Sequence, residues 1–346
     1  MKFIMKKYIY MMLVVLTAGF ASCSNDDIPM EEDVTMKTFE TTFKINPKTV
    51  IEPFTGEFNP GELQIFDENY QLRVRLLLYN HVGDYVGEDV QKFSNYMVTM
   101  ESSKLLQAGS YKAIVITDLE LKASSSEGDY PKEYWKLNDY KGSNLSKLKI
   151  IDANYTGGKN KILGVSCKNF TIDPNGNNDV KIDVKPAGAI IAWQYDYPHY
   201  YSDVKQLQLG TNKLVKEYIF NADGSYSDNA VVDDRYDNKR LFVYETSVYE
   251  GEECNHYYAS YCFVLPSKYN LKWMWSNTEK DFENLFEIHE TPMTIDIQAG
   301  DEWFIGVNLK ENIYYTPQKI GGSRVVNPIW DVEPIFIPEN LRVKNR

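Results

Sequence analysis

Residues 72–79 read Leu72-Arg73-Val74-Arg75-Leu76-Leu77-Leu78-Tyr79. The first four alternate apolar and basic side chains, the period of a β-strand that shows one face to a core. From Leu76 onward the run is apolar at every position, as a strand crossing the core of a sandwich is. Asn80-His81-Val82-Gly83-Asp84 then reads as a turn, and Tyr85-Val86 resumes the strand. Working outward, Thr38 to Ile45 alternates in part and is ended by Asn46-Pro47, and Tyr96 to Met100 is a further short strand. Leu105 to Thr117 (LLQAGSYKAIVIT) is a glycine turn feeding a strand with alternate apolar residues. The segments 130–140 and 280–287 carry the only mildly helical spacing, and no long amphipathic helix exists. The fold class is therefore all-β and mostly antiparallel: tandem sandwiches of the immunoglobulin or transthyretin-like, Greek-key type.

Two echoes suggest that the sandwich occurs twice. Gln298-Ala299-Gly300 followed by an alternating strand repeats Gln107-Ala108-Gly109 and its strand, and Gly188 to Tyr195 (GAIIAWQY) is expected to match residues 72–79. The dense turn cluster Asp173-Pro174-Asn175-Gly176-Asn177-Asn178 marks the seam, either there or just beyond, at Pro186. Residues 37–180 form the N-terminal sandwich, with a long loop at Ser124 to Pro131, and residues 181–346 the C-terminal sandwich, enlarged by insertions.

Ahead of both lies a leader, residues 1–22. Lys2, Lys6 and Lys7 precede a short apolar run, Tyr8 to Leu16, and small residues lead to Cys23. Such a run is too short for the roughly 20 residues of a membrane-spanning helix and reads as a secretory signal peptide. Ala21-Ser22-Cys23 resembles the lipobox of bacterial lipoproteins, which implies acylation of Cys23 and a stable hold on the outer membrane. Residues 23–36, with Asp26-Asp27 and Glu31-Glu32-Asp33, form an acidic tether similar to the surface-export signals of Bacteroides lipoproteins, so the chain is expected to face the cell exterior.

Formal net charge is −12. A field of that sign repels phosphate backbones and excludes nucleic acid as a partner. Four cysteines are present, and with Cys23 committed to lipid an odd number remains. Cys254 and Cys262 are candidates for a disulfide if they lie on neighbouring strands, and otherwise all three pack as free thiols.

Chemistry is sparse. The histidines His81, His199, His256 and His289 are scattered, and no HExxH, CxxC or calcium-loop pattern occurs, so no metal or other cofactor is expected. Nucleophile motifs and phosphate-cradling glycine loops are absent as well. Acidic pairs such as Asp233-Asp234 and Glu252-Glu253 fit solvated turns better than a glycosidase pair. The chain reads as a binding protein and not an enzyme. Two aromatic features are candidates for ligand contact. Tyr269, Leu271, Trp273 and Trp275 share one face of a strand, a sugar-stacking platform if exposed and core if not. Tyr197 and Tyr200 belong to a tyrosine-rich stretch, Tyr195 to Tyr201, that reads as a recognition loop between strands.

The anchor motif, residues 72–84 and residues 105–117 together resemble the fimbrillin-like surface lipoproteins of Bacteroides-type bacteria, across the mature chain. That family includes stalk subunits, cut by an arginine-specific protease and polymerised by donor-strand insertion, and anchor or tip subunits. Arg73 is the first arginine of this chain and already lies in a core strand, a departure from the stalk pattern. The resemblance therefore implies an anchor or accessory subunit or an adhesin, with fimbrial subunits or other surface proteins as partners. The competing reading is a glycan-binding surface lipoprotein of a polysaccharide-utilisation system.

Overall fold

A computed structural model describes residues 37–50, 69–95, 98–125, 132–153, 161–198, 206–211, 214–227, 232–233, 239–240, 246–250, 255–276, 286–287, 293–308, 313–315, 317–320 and 334–336. Residues 1–36, which hold the expected signal peptide, Cys23 and the expected tether, lie outside these residues, as do Tyr200 and Cys254. In the first half the strands are β1 (Thr38–Asn46), β2 (Tyr70–Asn80), β3 (Tyr85–Phe93), β4 (Met100–Gln107), β5 (Gly109–Leu121), β6 (Trp135–Leu137), β7 (Lys149–Asp152), β8 (Gly164–Ile172) and β9 (Asp179–Asp183). The second half begins with β10 (Ala189–Pro198), β11 (Gln206–Thr211), β12 (Leu214–Val215), β13 (Glu217–Ile219), β14 (Val232–Asp233), β15 (Lys239–Arg240) and β16 (Thr246–Glu250). It continues through β17 (Asn255–Val264), β18 (Ser267–Ser276), β19 (Phe286–Glu287), β20 (Met293–Ile297), β21 (Glu302–Asn308), β22 (Ile313–Tyr315), β23 (Gln318–Ile320) and β24 (Pro334–Phe336).

The first sandwich packs the sheet β4-β1-β9 on the sheet β3-β2-β5-β8. Alternation fixes which residues meet between them. Phe43 and Ile45 of β1, Met100 of β4 and Ile182 of β9 point inward, against Leu72, Val74, Leu76 and Leu78 of β2 and their neighbours on β5. Phe43 meets Phe170 of β8 edge-on at 5.4 Å, and Tyr111 stacks on the same ring at 5.6 Å. Residues 72–79 are buried without exception, arginines included. A sheet with one wet face would leave every second residue exposed, so β2 must be covered on both sides. The second cover is the segment carrying β6, a 3-10 turn (Leu145–Lys147) and β7, which supplies Trp135, Leu145, Leu148 and Ile150 to the core. Of the two stretches with helical spacing, Trp135–Leu137 and Phe286–Glu287 are strand, and residues 130–131 and 280–285 lie outside the described residues.

The second sandwich repeats this course. Its sheets run β16-β17-β10-β21-β22-β24 and β15-β11-β18-β19, with β20 also on β18. Within them β17-β10-β21 corresponds to β4-β1-β9, and β15-β11-β18-β20 to β3-β2-β5-β8. Pairing directions agree: β1 is parallel to β9 and β10 is parallel to β21, whereas β2–β3, β2–β5 and β5–β8 are antiparallel, as are β11–β15, β11–β18 and β18–β20. The two parallel pairs qualify the antiparallel expectation. They also correct the echoes. GAIIAWQY is the counterpart of β1 and not of β2. The corner at Gln298 to Gly300 leads from β20 to β21 and so corresponds to the β8–β9 turn, not to Gln107 to Gly109. Strand β9, ending at Asp183, is the last strand of the sheet β4-β1-β9, and β10 begins at Ala189 in the next sheet.

Candidate strand-pairing interface

The lane occupied by β1 is the feature most relevant to binding through strands. It lies between β4 and β9, with Thr42, Phe43, Lys44, Ile45 and Asn46 in register with residues 179–183. Thr41, Phe43 and Ile45 are fully buried. Removing the last two from water is worth about 1.5–3 kcal/mol each. At its end the strand is tied by Asn46 Nδ2 to Asp183 Oδ1 (3.2 Å), by Val184 N to Asn46 O (2.8 Å), and by the Thr49 hydroxyl donating to Val184 O. The lane is filled by the chain itself.

Its flanks are closed by side chains. Strands β3 and β4 border the same side of the sandwich in different sheets, and Gln91 Nε2 donates to Glu101 O (2.9 Å) while Lys104 Nζ donates to Glu88 O (3.0 Å). These cross-links occupy carbonyls that an incoming strand would need. On the opposite side Ser166 Oγ donates to Asp183 O and accepts from Lys185 N, both at 3.0 Å.

Arg73 is inaccessible. Its Nε and Nη2 donate to Asp118 at 2.9 and 2.6 Å, and Nη1 reaches Glu133 (2.9 Å) and Glu120 (3.2 Å). Arg75 Nη2 shares Asp118 at 2.8 Å, and Lys92 Nζ lies 2.6 Å from Glu120. Asp118 is fully buried. Burial works against the positive charge of Arg73, but Asp118, Glu120 and Glu133 outweigh it and hold the guanidinium above its ordinary value. The alternation Leu-Arg-Val-Arg thus reflects a buried ionic layer beneath Trp135, not a wet face. The sequence signal for it is faint, because Asp118 and Glu120 stand some 45 residues away on β5 and Glu133 lies farther still, 60 residues on.

The aromatic candidates separate. Trp273 and Trp275 lie on β18, opposite Leu209 and Leu207 of β11. Backbone alternation places these two positions on the same face of the strand as Tyr269 and Leu271, both of which are fully buried. Tyr197 is not in a loop: β10 continues through Pro198, with position 197 in register with His256. Of the expected Cys254–Cys262 pair, Cys254 lies outside the described residues. Cys262 is a free, buried thiol, pushed up to about 12 by that burial.

No family model matches the chain, and no curated protein matches it in sequence. Among solved structures it is similar to a candidate polysaccharide-binding protein of Bacteroides thetaiotaomicron (TM-score 0.49, 12% identity, covering 81% of this chain and 98% of that one). It is also similar to a candidate adhesin of Bacteroides ovatus (0.46, 11%, covering 91% and 99%). A third is the fimbrial anchor protein Mfa2 of Porphyromonas gingivalis (0.46, 10%, covering 78% and 90%). Likeness at this level carries no argument about function.

Proposed function

We propose that this protein is a lipid-anchored protein of the outer cell surface that acts by binding, as a fimbrial anchor or accessory subunit or an adhesin, through strand pairing with a protein partner. Cys23 carries the lipid, residues 23–36 are the tether, and two sandwiches form the body. The observation that carries this reading is the first sandwich's own strand. Strand β1 fills its lane, no arginine precedes it, and Arg73 is locked in an ion network. A chain built this way keeps its N-terminal strand and with it the anchor.

With that lane filled and its flanks cross-linked, a partner's extended segment must pair elsewhere. The mixed sheet of the second sandwich, which ends in the three-residue strands β22 and β24, is the better place. That positions 273 and 275 share the strand face of the buried Tyr269 and Leu271 does not favour a sugar platform. The test is capture of co-encoded fimbrial subunits by the purified protein, run beside a panel of polysaccharides. Saturable capture of a subunit, unaffected by Trp273→Ala, supports the proposal. Saturable polysaccharide binding abolished by Trp273→Ala or Trp275→Ala, with no subunit captured, overturns it in favour of glycan binding.

A further inference from the structure

Each sandwich departs from the shared topology by an insertion, and the two insertions meet. The first lies between β5 and β8 and carries β6 and β7. The second lies between β11 and β15 and carries β12, β13 and β14. Together they build a sheet that belongs to neither sandwich alone, β13-β7-β6, with Glu217, Tyr218 and Ile219 in register with Ile151, Ile150 and Lys149. Asp152 N donates to Lys216 O at 2.7 Å, and Lys149 Nζ meets Glu217 Oε2 at 3.0 Å.

Beyond β13 the chain turns at Asn221 to Ser225 and comes down on the outer face of β5 and β8. Lys112 Nζ donates to Ala222 O at 2.5 Å, and Cys167 Sγ lies 3.6 Å from Asp223 O. Gly224 sits directly over Cys167 with φ +90°, and a Cβ built there would lie 2.3 Å from the sulfur. Only glycine combines that left-handed backbone with so close an approach. The return leg is pinned to the second sandwich, where Tyr226 OH donates to Pro266 O at 3.3 Å. Val215, Tyr218, Phe220 and Ser227 are buried along this course.

We infer that Leu214–Ser227 is a strap, laid by the second sandwich over the outer face of β5 and β8, and that its closure makes the two sandwiches unfold as one cooperative body. Strand pairing, an ion pair and a glycine-only contact all cross the seam, so neither sandwich loosens while the strap is down. This inference does not depend on which partner the protein binds.

The two described cysteines report on it, one from each sandwich: Cys167 beneath the strap on β8, and Cys262 in β17. In the full chain, alkylation of each is followed by peptide-level mass spectrometry across a denaturant series. In the wild-type protein both thiols become reactive over the same denaturant range. Gly224→Val lifts the strap, so Cys167 reacts at least about ten-fold faster in the absence of denaturant while Cys262 stays protected. Lys112→Met, which removes one tie and no packing, shifts Cys167 the same way to a smaller extent and decides the matter if the glycine variant does not fold. Separate denaturant ranges for the two thiols in the wild type, or Cys167 rates unchanged in both variants, would overturn the strap.

Discussion

The two sandwiches share a strand order but not a build. In the first, the sheet β3-β2-β5-β8 is made of long strands, 11 residues in β2 and 13 in β5, covered on both faces and holding an ionic layer in its interior. In the second, the corresponding sheet is described over β11 (Gln206–Thr211), β15 (Lys239–Arg240), β18 (Ser267–Ser276) and β20 (Met293–Ile297). One topology thus carries, in the first half, strands buried on both faces around an ionic layer and, in the second, a mixed sheet continued beyond β21 by β22 and β24.

The largest expected effect lies in the ionic layer. Asp118→Ala leaves Arg73 and Arg75 buried without their shared carboxylate, and breaking buried pairs in this way costs about 3–5 kcal/mol. Denaturant unfolding should show it directly, and a loss below 1 kcal/mol would mean that water reaches these arginines. Next come matched core truncations. Leu76→Ala and Leu271→Ala each remove a fully buried side chain, one from each half. Each is expected to cost about 2–5 kcal/mol. If the strap joins the halves, both variants shift one common transition, whereas independent halves would split it in two.

Smaller is Gly300→Ala at the corner into β21. Its φ is +83° with no atom near a built Cβ, so only backbone conformation is penalised. That is worth about 1–2 kcal/mol, readable as a lower denaturation midpoint. The smallest effect concerns pH. Burial opposes the charge of Glu88, but hydrogen bonds from Lys141 and Tyr140 and the nearby charge of Arg75 hold its carboxyl below the ordinary range. The folded form then takes up a proton less readily than the unfolded chain. Its contribution is therefore complete above the ordinary carboxylate range and is lost as pH falls through the depressed value. Glu88→Gln should lower stability at neutral pH slightly and flatten the acid limb, and an unchanged acid limb would contradict this.

Strand identity and sandwich class were legible because alternation is a local property. Thr41, Phe43 and Ile45, or Leu72 and Val74, declare a face without reference to any partner. Partner choice is not local. The Gln-Ala-Gly corners look alike, yet one leads from β4 to β5 and the other from β20 to β21, which pairs in parallel with β10. Nothing in a single strand's pattern separates a parallel neighbour from an antiparallel one. For the same reason Arg73 and Arg75 read as a half-wet strand, since their acidic partners and the Trp135 cover arrive from distant segments. Tyr195 to Pro198 read as a loop because proline breaks strands, but Pro198 stands at the strand's last position, where a missing N–H costs little.

The central claim is that the surface-held chain keeps both its lipid anchor and its own N-terminal strand. Intact-mass spectrometry of the protein recovered from cells, before and after native exposure to an arginine-specific protease, tests it most directly. The account predicts a chain that starts at an acylated Cys23, retains Thr38–Asn46, and is not cut at Arg73. A mature chain beginning after Arg73, or one without acyl chains on Cys23, would contradict it.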